Sequence, residues 1–200
     1  MNAGKVSSGP PSKIIILDVA EQLFAEHGYR ETTVADIAMQ AGMSTANLYR
    51  HYQNKEDIAA ACAFRCLERK NEAMREVLQK KRMGSSERLE EFIVALLRYT
   101  HQEMQHRPKM NEMTEVVIRS RPEVIHVMLS NLQSMIAEIL AQGNAQQEFA
   151  VDNVVATAET VFAAITVFFT PLFMHLYPLP EFERRARAMA QLVVRGLAVR

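Results

Sequence analysis

Helical periodicity runs along nearly the whole chain from about Lys13 onward, and this pattern limits the fold more than any other feature. Apolar residues recur at spacings of three and four, whereas no segment shows the alternation that is typical of a strand. Glycines, prolines and capping residues divide the pattern into segments of helical length. The absence of Trp and the low Gly and Pro content also favour helices. The sequence therefore predicts an all-α protein.

The glycines, prolines and capping residues predict three short helices, then a long helix, then several helices of ordinary length. Capping and turn residues place the short helices at about Lys13–His27 and Val34–Ala41, with a third that starts at the cap Ser44 and ends near Tyr52. The long helix is expected from Lys55 to about Arg82. The later helices are predicted at about Glu87–His106, Lys109–Arg119, Glu123–Gln142, Asp152–His175 and Glu181–Val199.

Bulk composition indicates a soluble protein of the reducing cytoplasm. Residues 1–12 are small and polar, so they predict a flexible arm and not a signal peptide. The apolar stretch Val161–Met174 is shorter than the roughly 20 residues of a membrane span, which favours a buried helix and no membrane partner. Cys62 and Cys66 are four residues apart and are expected to be reduced thiols. The formal net charge of zero does not by itself indicate a nucleic-acid partner.

The segment from Ile37 to Leu48 has the spacing of a helix-turn-helix. Ala38 is small where two helices would approach, Gly42 suits a tight turn, and Ile37, Met43 and Leu48 would fill the space between the helices. A helical hairpin that does not bind DNA would satisfy the same spacing. The pattern alone therefore leaves both alternatives open.

A wider set of residues around this segment resembles the TetR family of transcription regulators. The resemblance covers about Lys13 to Ile58, and no motif in the remainder indicates a subfamily. It rests on these groups of residues: Ile16-Leu17, Leu23-Phe24, Gly28-Tyr29, Thr32-Thr33-Val34, Ile37-Ala38, Ala41-Gly42, Leu48-Tyr49, His51-Tyr52 and Lys55-Glu56. The resemblance implies a DNA-binding domain at residues 13–58 and a larger effector-binding and dimerisation domain at residues 59–200, linked by the long helix at about 55–82.

The third short helix carries the predicted DNA contacts. Its first turn offers short donors, acceptors and one small apolar group to base edges in a major groove, from Ser44, Thr45, Ala46 and Asn47. Donors and cations near its far end would contact phosphates, namely Tyr49, Arg50, His51 and Lys55. Thr33 has the same opportunity at the start of the second helix, where capping alone would also explain it. No acidic residue lies between Ser44 and Lys55, so this face is locally basic.

A single short helix in one groove binds weakly, so we expect a homodimer on a palindromic double-stranded operator. The last two helices are the predicted dimer interface, through Val161, Ile165, Phe168, Met189, Val193 and Leu197. Methionine and aromatic side chains suit an adaptable cavity, and the resemblance implies one for an apolar or aromatic effector. The predicted cavity residues are Tyr99, Met104, Met113 and Phe162, although core packing would explain each of them equally well. The resemblance further implies that effector binding releases a repressor from its operator.

Other classes of function have weaker support. Cys62 and Cys66 with the scattered histidines form no compact ligand pattern, so we predict no metal site and no cofactor. A redox role for the two thiols would rest only on the nearby Arg65 and Arg69. No phosphate loop, nucleophile elbow or His-Glu metal motif indicates an enzyme. An all-helical protein-interaction module without sequence-specific DNA binding remains the main alternative.

Overall fold

The computed structural model describes residues 11–80 and 82–199, and within them the chain is helical without a strand. The first four helices are α1 (Pro11–Glu26), α2 (Val34–Gln40), α3 (Thr45–Tyr49) and α4 (Lys55–Leu78). The others are α5 (Ser85–His106), α6 (Met110–Ser120), α7 (Pro122–Ala145), α8 (Val154–Ile165) and α9 (Leu179–Leu197). The all-α prediction is confirmed. Most of the predicted arm lies outside the described residues, and its last two positions, Pro11 and Ser12, begin α1.

The chain divides into two compact units. The first contains the chain up to Cys66 together with Arg107–Ile125, and the second contains Leu67–His106 and His126–Arg200. Helix α6, which the sequence analysis placed in the second domain, therefore belongs to the first unit. Helices α4 and α7 each contribute residues to both units.

The core of the first unit forms where α1, α2 and α3 meet. Apolar residues at helical spacing on α1 turn one face inward, and this face packs against α2 and α6. Leu48 is the only buried residue of the five-residue helix α3. The fully buried large side chains of this unit are Ile16, Phe24, Ile37, Leu48 and Ile58. The predicted packing of Ile37, Ala38 and Leu48 is thus confirmed, whereas Met43 is only half-buried.

Helix α6 is attached to the end of α1 by two charged side chains, which we call the α6 clasp. Lys109 Nζ donates a hydrogen bond to the Glu26 carbonyl at 2.8 Å, and the Glu112 carboxylate accepts one from the Arg30 amide at 3.2 Å. Gly28 lies beside this carboxylate with φ +94°, and a Cβ built there would come within 2.8 Å of Glu112 Oε2. Gly28 therefore supplies both the left-handed backbone and the space that the clasp requires.

The second unit is built around α5 and α9, which pack along each other. Helix α4 ends at Leu78, before the predicted Arg82, because the guanidinium of buried Arg88 binds the carbonyls of Val77, Leu78 and Met83. At the start of α5, the Glu148 carboxylate accepts hydrogen bonds from the Ser85 and Ser86 amides, both at 2.9 Å. These backbone bonds, led by that from Ser86, lower the pKa of Glu148. Both contacts join residues that no local sequence signal connects.

The prediction of one helix from Asp152 to His175 was wrong. Helix α8 ends at Ile165, and two 3-10 turns follow at Thr166–Phe168 and Pro171–Phe173. Proline lacks an amide hydrogen and excludes the helical conformation at the preceding residue, so Thr170 is extended. The hydroxyls of Thr166 and Thr170 bond to carbonyls four residues earlier, which also accommodates the bend.

One helix, α7, is long and apolar enough to cross a membrane if length and composition alone are considered. Core helices of soluble proteins meet the same criterion. Four of the described side chains of α7 are completely buried inside the second unit, namely Leu132, Ile136, Ile139 and Leu140. These residues belong to the buried core of the second unit.

We predict that Gly28→Ala lowers the free energy of unfolding by about 1–2 kcal/mol, because alanine is strained at positive φ. The new methyl group would also displace the Glu112 carboxylate. Gly196→Ala is the matched control, since no atom lies within 4 Å of its added Cβ and it is helical. The control should be neutral or stabilising by up to about 1 kcal/mol. Urea unfolding measures both, and equal stabilities would contradict this account of Gly28.

Candidate nucleic-acid interface

The start of α2 is held by a capping box. The Thr33 side chain accepts a hydrogen bond from the Asp36 amide at 3.1 Å, while Asp36 Oδ2 accepts one from the Thr33 amide at 2.8 Å. The Thr33 hydroxyl also donates to Asp36 Oδ2 at 2.6 Å. These bonds from Thr33 lower the pKa of Asp36. The capping role of Thr33 is confirmed, and its contact with a phosphate stays a prediction.

A tight turn joins α2 to α3. Gly42 has φ +67°, and the Met43 amide donates to the Ala38 carbonyl at 2.9 Å. The chain then reverses into α3, where the Ser44 side chain accepts a hydrogen bond from the Asn47 amide at 3.2 Å. Ser44 is therefore the N-cap that the sequence predicts. The left-handed glycine and this cap together fix the direction in which α3 leaves the turn.

The first turn of α3 is presented to solvent. Ser44, Thr45 and Ala46 are exposed and Asn47 is half-buried, whereas Leu48 on the opposite face is completely buried. Short polar side chains thus occupy the outer face of a helix whose inner face is anchored. These four residues lie together as the sequence predicts, in an arrangement that could face base edges.

Tyr49, Arg50 and His51 follow on the same segment. Tyr49 is 52% exposed, Arg50 is exposed and His51 is half-buried. Within residues 11–80 and 82–199, the Arg50 side chain makes no hydrogen bond and no ion pair. Its charge is therefore available to an external anion, for which a phosphate oxygen is a suitable acceptor.

Lys55 has an internal role that the sequence analysis did not predict. Its ammonium donates to the carbonyls of Tyr29 and Thr32 at 2.9 and 2.8 Å and lies 4.2 Å from the centroid of the Tyr29 ring. Burial, together with the Glu56 carboxylate, raises the pKa of Tyr29 to about 12. Lys55 thus fixes the segment before α2 to the start of α4. This is a positioning role, and its predicted phosphate contact stays a prediction.

Asp57, one of the two acidic residues in the first turn of α4, is neutralised by an ion pair. Arg121, at the C-terminal end of α6, pairs with the Asp57 carboxylate. Asp57 Oδ2 also accepts a hydrogen bond from the Gln53 amide at 3.3 Å. A negative charge one turn into α4 would otherwise weaken an adjacent phosphate site. Sequence reasoning missed Arg121, because 64 positions separate it from Asp57.

The predicted effector and dimer residues are distributed differently from expectation. Met113 belongs to the first unit, whereas Tyr99, Met104 and Phe162 belong to the second. On α8 and the turn after it, Val161, Ile165 and Phe168 are buried within the protomer, which does not favour the predicted dimer contacts of these three residues. The stripe at helical spacing is the one that α8 turns to its own core. On α9, Met189, Val193 and Leu197 remain partly accessible.

The cysteines and histidines show no arrangement that indicates metal chemistry. Cys62 is buried, and its Sγ lies 3.9 Å from the Leu17 carbonyl oxygen, while Cys66 is half-buried. In the part of the chain that the structure describes, no three His, Cys, Asp or Glu side chains form a group that could hold a metal ion. Packing accounts for the position of Cys62.

Comparison with known proteins identifies the family. A model of bacterial regulatory proteins of the tetR family matches residues 16–62, and a model of the tetracyclin repressor-like C-terminal domain matches residues 85–190. The HTH-type transcriptional repressor KstR2 of Rhodococcus jostii is 51% identical over 43 residues. That match covers 22% of this chain and 21% of the relative, so it spans about a fifth of the relative's length.

Two solved structures share the fold. A TetR-family transcriptional regulator from Mesorhizobium loti has a TM-score of 0.76 and 16% identity, covering 97% of this chain and 100% of its own. The transcriptional regulator FadR of Bacillus subtilis, solved in complex with stearoyl-CoA, has a TM-score of 0.65 and 20% identity. That similarity covers 92% of this chain and 98% of FadR.

The capped helix pair with its exposed second helix defines a helix-turn-helix protein. More narrowly, the chain belongs to the TetR family of bacterial regulatory proteins, because one family model alone covers more than half of its residues. This is a family of transcription regulators and not of enzymes.

We predict that Lys55→Met lowers the free energy of unfolding by about 1–3 kcal/mol, because two carbonyls would lose their hydrogen-bond donor. Arg50→Met should stay within about 0.5 kcal/mol of the parent, since its side chain is exposed and makes no internal bond. Thermal unfolding of the two variants without DNA is the measurement. Equal stability of both variants would show that the internal role of Lys55 is unimportant.

Proposed function

We propose that this chain is a transcription repressor of the bacterial cytoplasm that binds a palindromic operator as a homodimer. The observation that carries the proposal is the first turn of α3, whose short polar side chains are exposed while Leu48 anchors the opposite face. Such a helix fits the major groove of B-DNA, where Ser44, Thr45 and Asn47 would exchange hydrogen bonds with base edges. Ala46 would contact a thymine methyl group.

Phosphate contacts would orient this helix in the groove. Arg50 and Tyr49 are exposed beside the first turn of α3, and His51 lies next to them. Thr33 and Lys55, at the starts of α2 and α4, are the other proposed phosphate contacts. Each phosphate that is neutralised releases counterions, so binding should weaken as salt rises.

Dimerisation would bring together two copies of the helix-turn-helix formed by α2 and α3, which we call the reader. Exposed apolar side chains remain on the last two helices, with Val155 of α8 and Leu192 of α9 each 65% exposed. Met189, Val193 and Leu197 add partly accessible surface on α9. Large exposed apolar residues on neighbouring helices are typical of an interface. These residues replace the buried stripe of α8 as the proposed dimer surface.

An effector would act by changing the position of the reader. FadR of Bacillus subtilis was solved with stearoyl-CoA, which supports a small-molecule site in a protein of this fold. In this chain α6 enters the first unit from the later part of the sequence and is fastened to α1 by Lys109 and Glu112. The α6 clasp is therefore the proposed route by which a change elsewhere alters the reader.

Binding-site selection from random DNA, followed by anisotropy titrations at several salt concentrations, tests the DNA-binding proposal. We predict a palindrome whose affinity falls steeply with salt. Asn47→Ala should reduce the preference for the selected site over random DNA by about 1–3 kcal/mol. Arg50→Met should weaken binding to both DNAs and reduce the salt slope by about one. Failure to enrich any sequence would favour the interaction-module alternative.

The clasp generates a separate prediction. Glu112→Gln keeps the size of the side chain but weakens its bond to the Arg30 amide, because a neutral acceptor binds an amide less strongly than a carboxylate. Operator affinity without effector should change by about 2- to 10-fold, the range expected for a coupling of about 1 kcal/mol. Glu115→Gln, an exposed carboxylate on the same helix, is the matched control. Identical operator affinities for the two variants would exclude the clasp as the route.

A further inference from the structure

Lys70 is a cation whose surroundings in the second unit supply no counter-charge. It lies in the middle of α4, and its Nζ is 5.2 Å from the centroid of the Phe169 ring. Among residues 11–80 and 82–199, the ammonium has no hydrogen bond and no carboxylate partner. The face of an aromatic ring attracts a cation but does not replace the hydrogen bonds that three ammonium hydrogens make in water.

The Lys70 side chain is partly removed from water. The side chain of Lys70 is only half-buried, yet burial lowers its pKa to about 8. Desolvation is the cause of this change, and no neighbouring carboxylate opposes it. A lysine that is partly desolvated and has no carboxylate partner keeps ammonium donors that a ligand acceptor can use. With a pKa of about 8, the group is still mainly protonated near neutral pH and carries a positive charge.

One aromatic side chain lies next to Lys70, and a second lies next to the first. Phe169 and Phe162 are both buried, and their ring centroids are 5.2 Å apart in a tilted arrangement. Phe169 follows the first 3-10 turn after α8, and its carbonyl lies 3.4 Å from the Thr100 hydroxyl of α5. The 3-10 turn that follows α8 therefore places the Phe169 ring next to the Lys70 ammonium. If α8 continued as a regular helix, the backbone at Phe169 would not have this conformation.

We infer that this part of the second unit binds an organic carboxylate, with its negative head on Lys70 and its apolar body against Phe169 and Phe162. A desolvated cation is costly unless it is paired, and a carboxylate provides both the charge and the acceptors for the ammonium. The aromatic pair provides apolar surface for the remainder of the ligand. The inference rests on the proposed function, since it identifies the chemical class of the effector.

Calorimetric titration of the full-length protein without DNA tests the inference. The probes form two arms, the fatty acids octanoate and dodecanoate and the aromatic acids benzoate and phenylpropanoate, each compared with its uncharged amide. At least one acid should bind about 10-fold or more tightly than its amide, the ratio expected for one charge-assisted hydrogen bond. The arm that binds distinguishes an acyl from an aromatic body.

Variants show whether Lys70 causes this preference. Lys70→Met should abolish the preference for acid over amide, whereas Lys70→Arg should keep most of it. Arg75→Met removes an exposed cation from the same helix and should leave the preference unchanged. Without ligand, Lys70→Met should raise the melting temperature by about 2–4 °C or more, because a partly desolvated charge without a carboxylate partner has been removed.

The inference is overturned if every acid binds no better than its amide, or if Lys70→Met keeps the preference. A lower melting temperature for Lys70→Met would also overturn it, since Lys70 would then be a structural tie. Because these titrations contain no DNA, they do not depend on operator binding. Carboxylate binding that leaves operator affinity unchanged would preserve the ligand site and remove only its role as an effector site from the proposed function.

Discussion

Burial of Leu48 is the interaction on which the proposed reading surface depends. Helix α3 has five residues, whereas isolated helices shorter than about 12–15 residues are only marginally stable in water. Its conformation is therefore maintained by tertiary contacts, of which the complete burial of Leu48 is the largest. The Ser44 cap and the left-handed Gly42 determine where the helix begins. With one face anchored in this way, the opposite face is exposed in a fixed orientation.

Polar contacts then join this reader to the rest of the chain. Lys55 connects the backbone before α2 to the start of α4, and the α6 clasp connects the end of α1 to a helix from much later in the sequence. Each of these bonds ends on a backbone group, so each fixes the path of the chain as well as a side chain. A displacement of α6 would consequently shift the backbone between the end of α1 and the start of α2, which precedes the reader.

The reader was predictable from sequence because its signals are local. The Thr33 box, Gly42, Ser44 and Leu48 all act within a few positions, and each has the predicted structural role as cap, turn or buried residue. Long-range contacts were not predictable, since nothing near Asp57 identifies Arg121 as its partner and nothing near Leu78 identifies Arg88. Periodicity correctly grouped the apolar face of α8 but could not show that the protomer itself covers it. The break at Pro171 did have a sequence signal, which the continuous apolar pattern obscured.

The central claim is that two copies of α3 occupy successive major grooves on one face of DNA. Hydroxyl-radical footprinting on the selected site tests this most directly, because it maps protein contact along each strand. The account predicts two protected segments, related by two-fold symmetry and separated by about one helical turn, roughly 34–36 Å. A single protected segment, or uniform protection without symmetry, would contradict it.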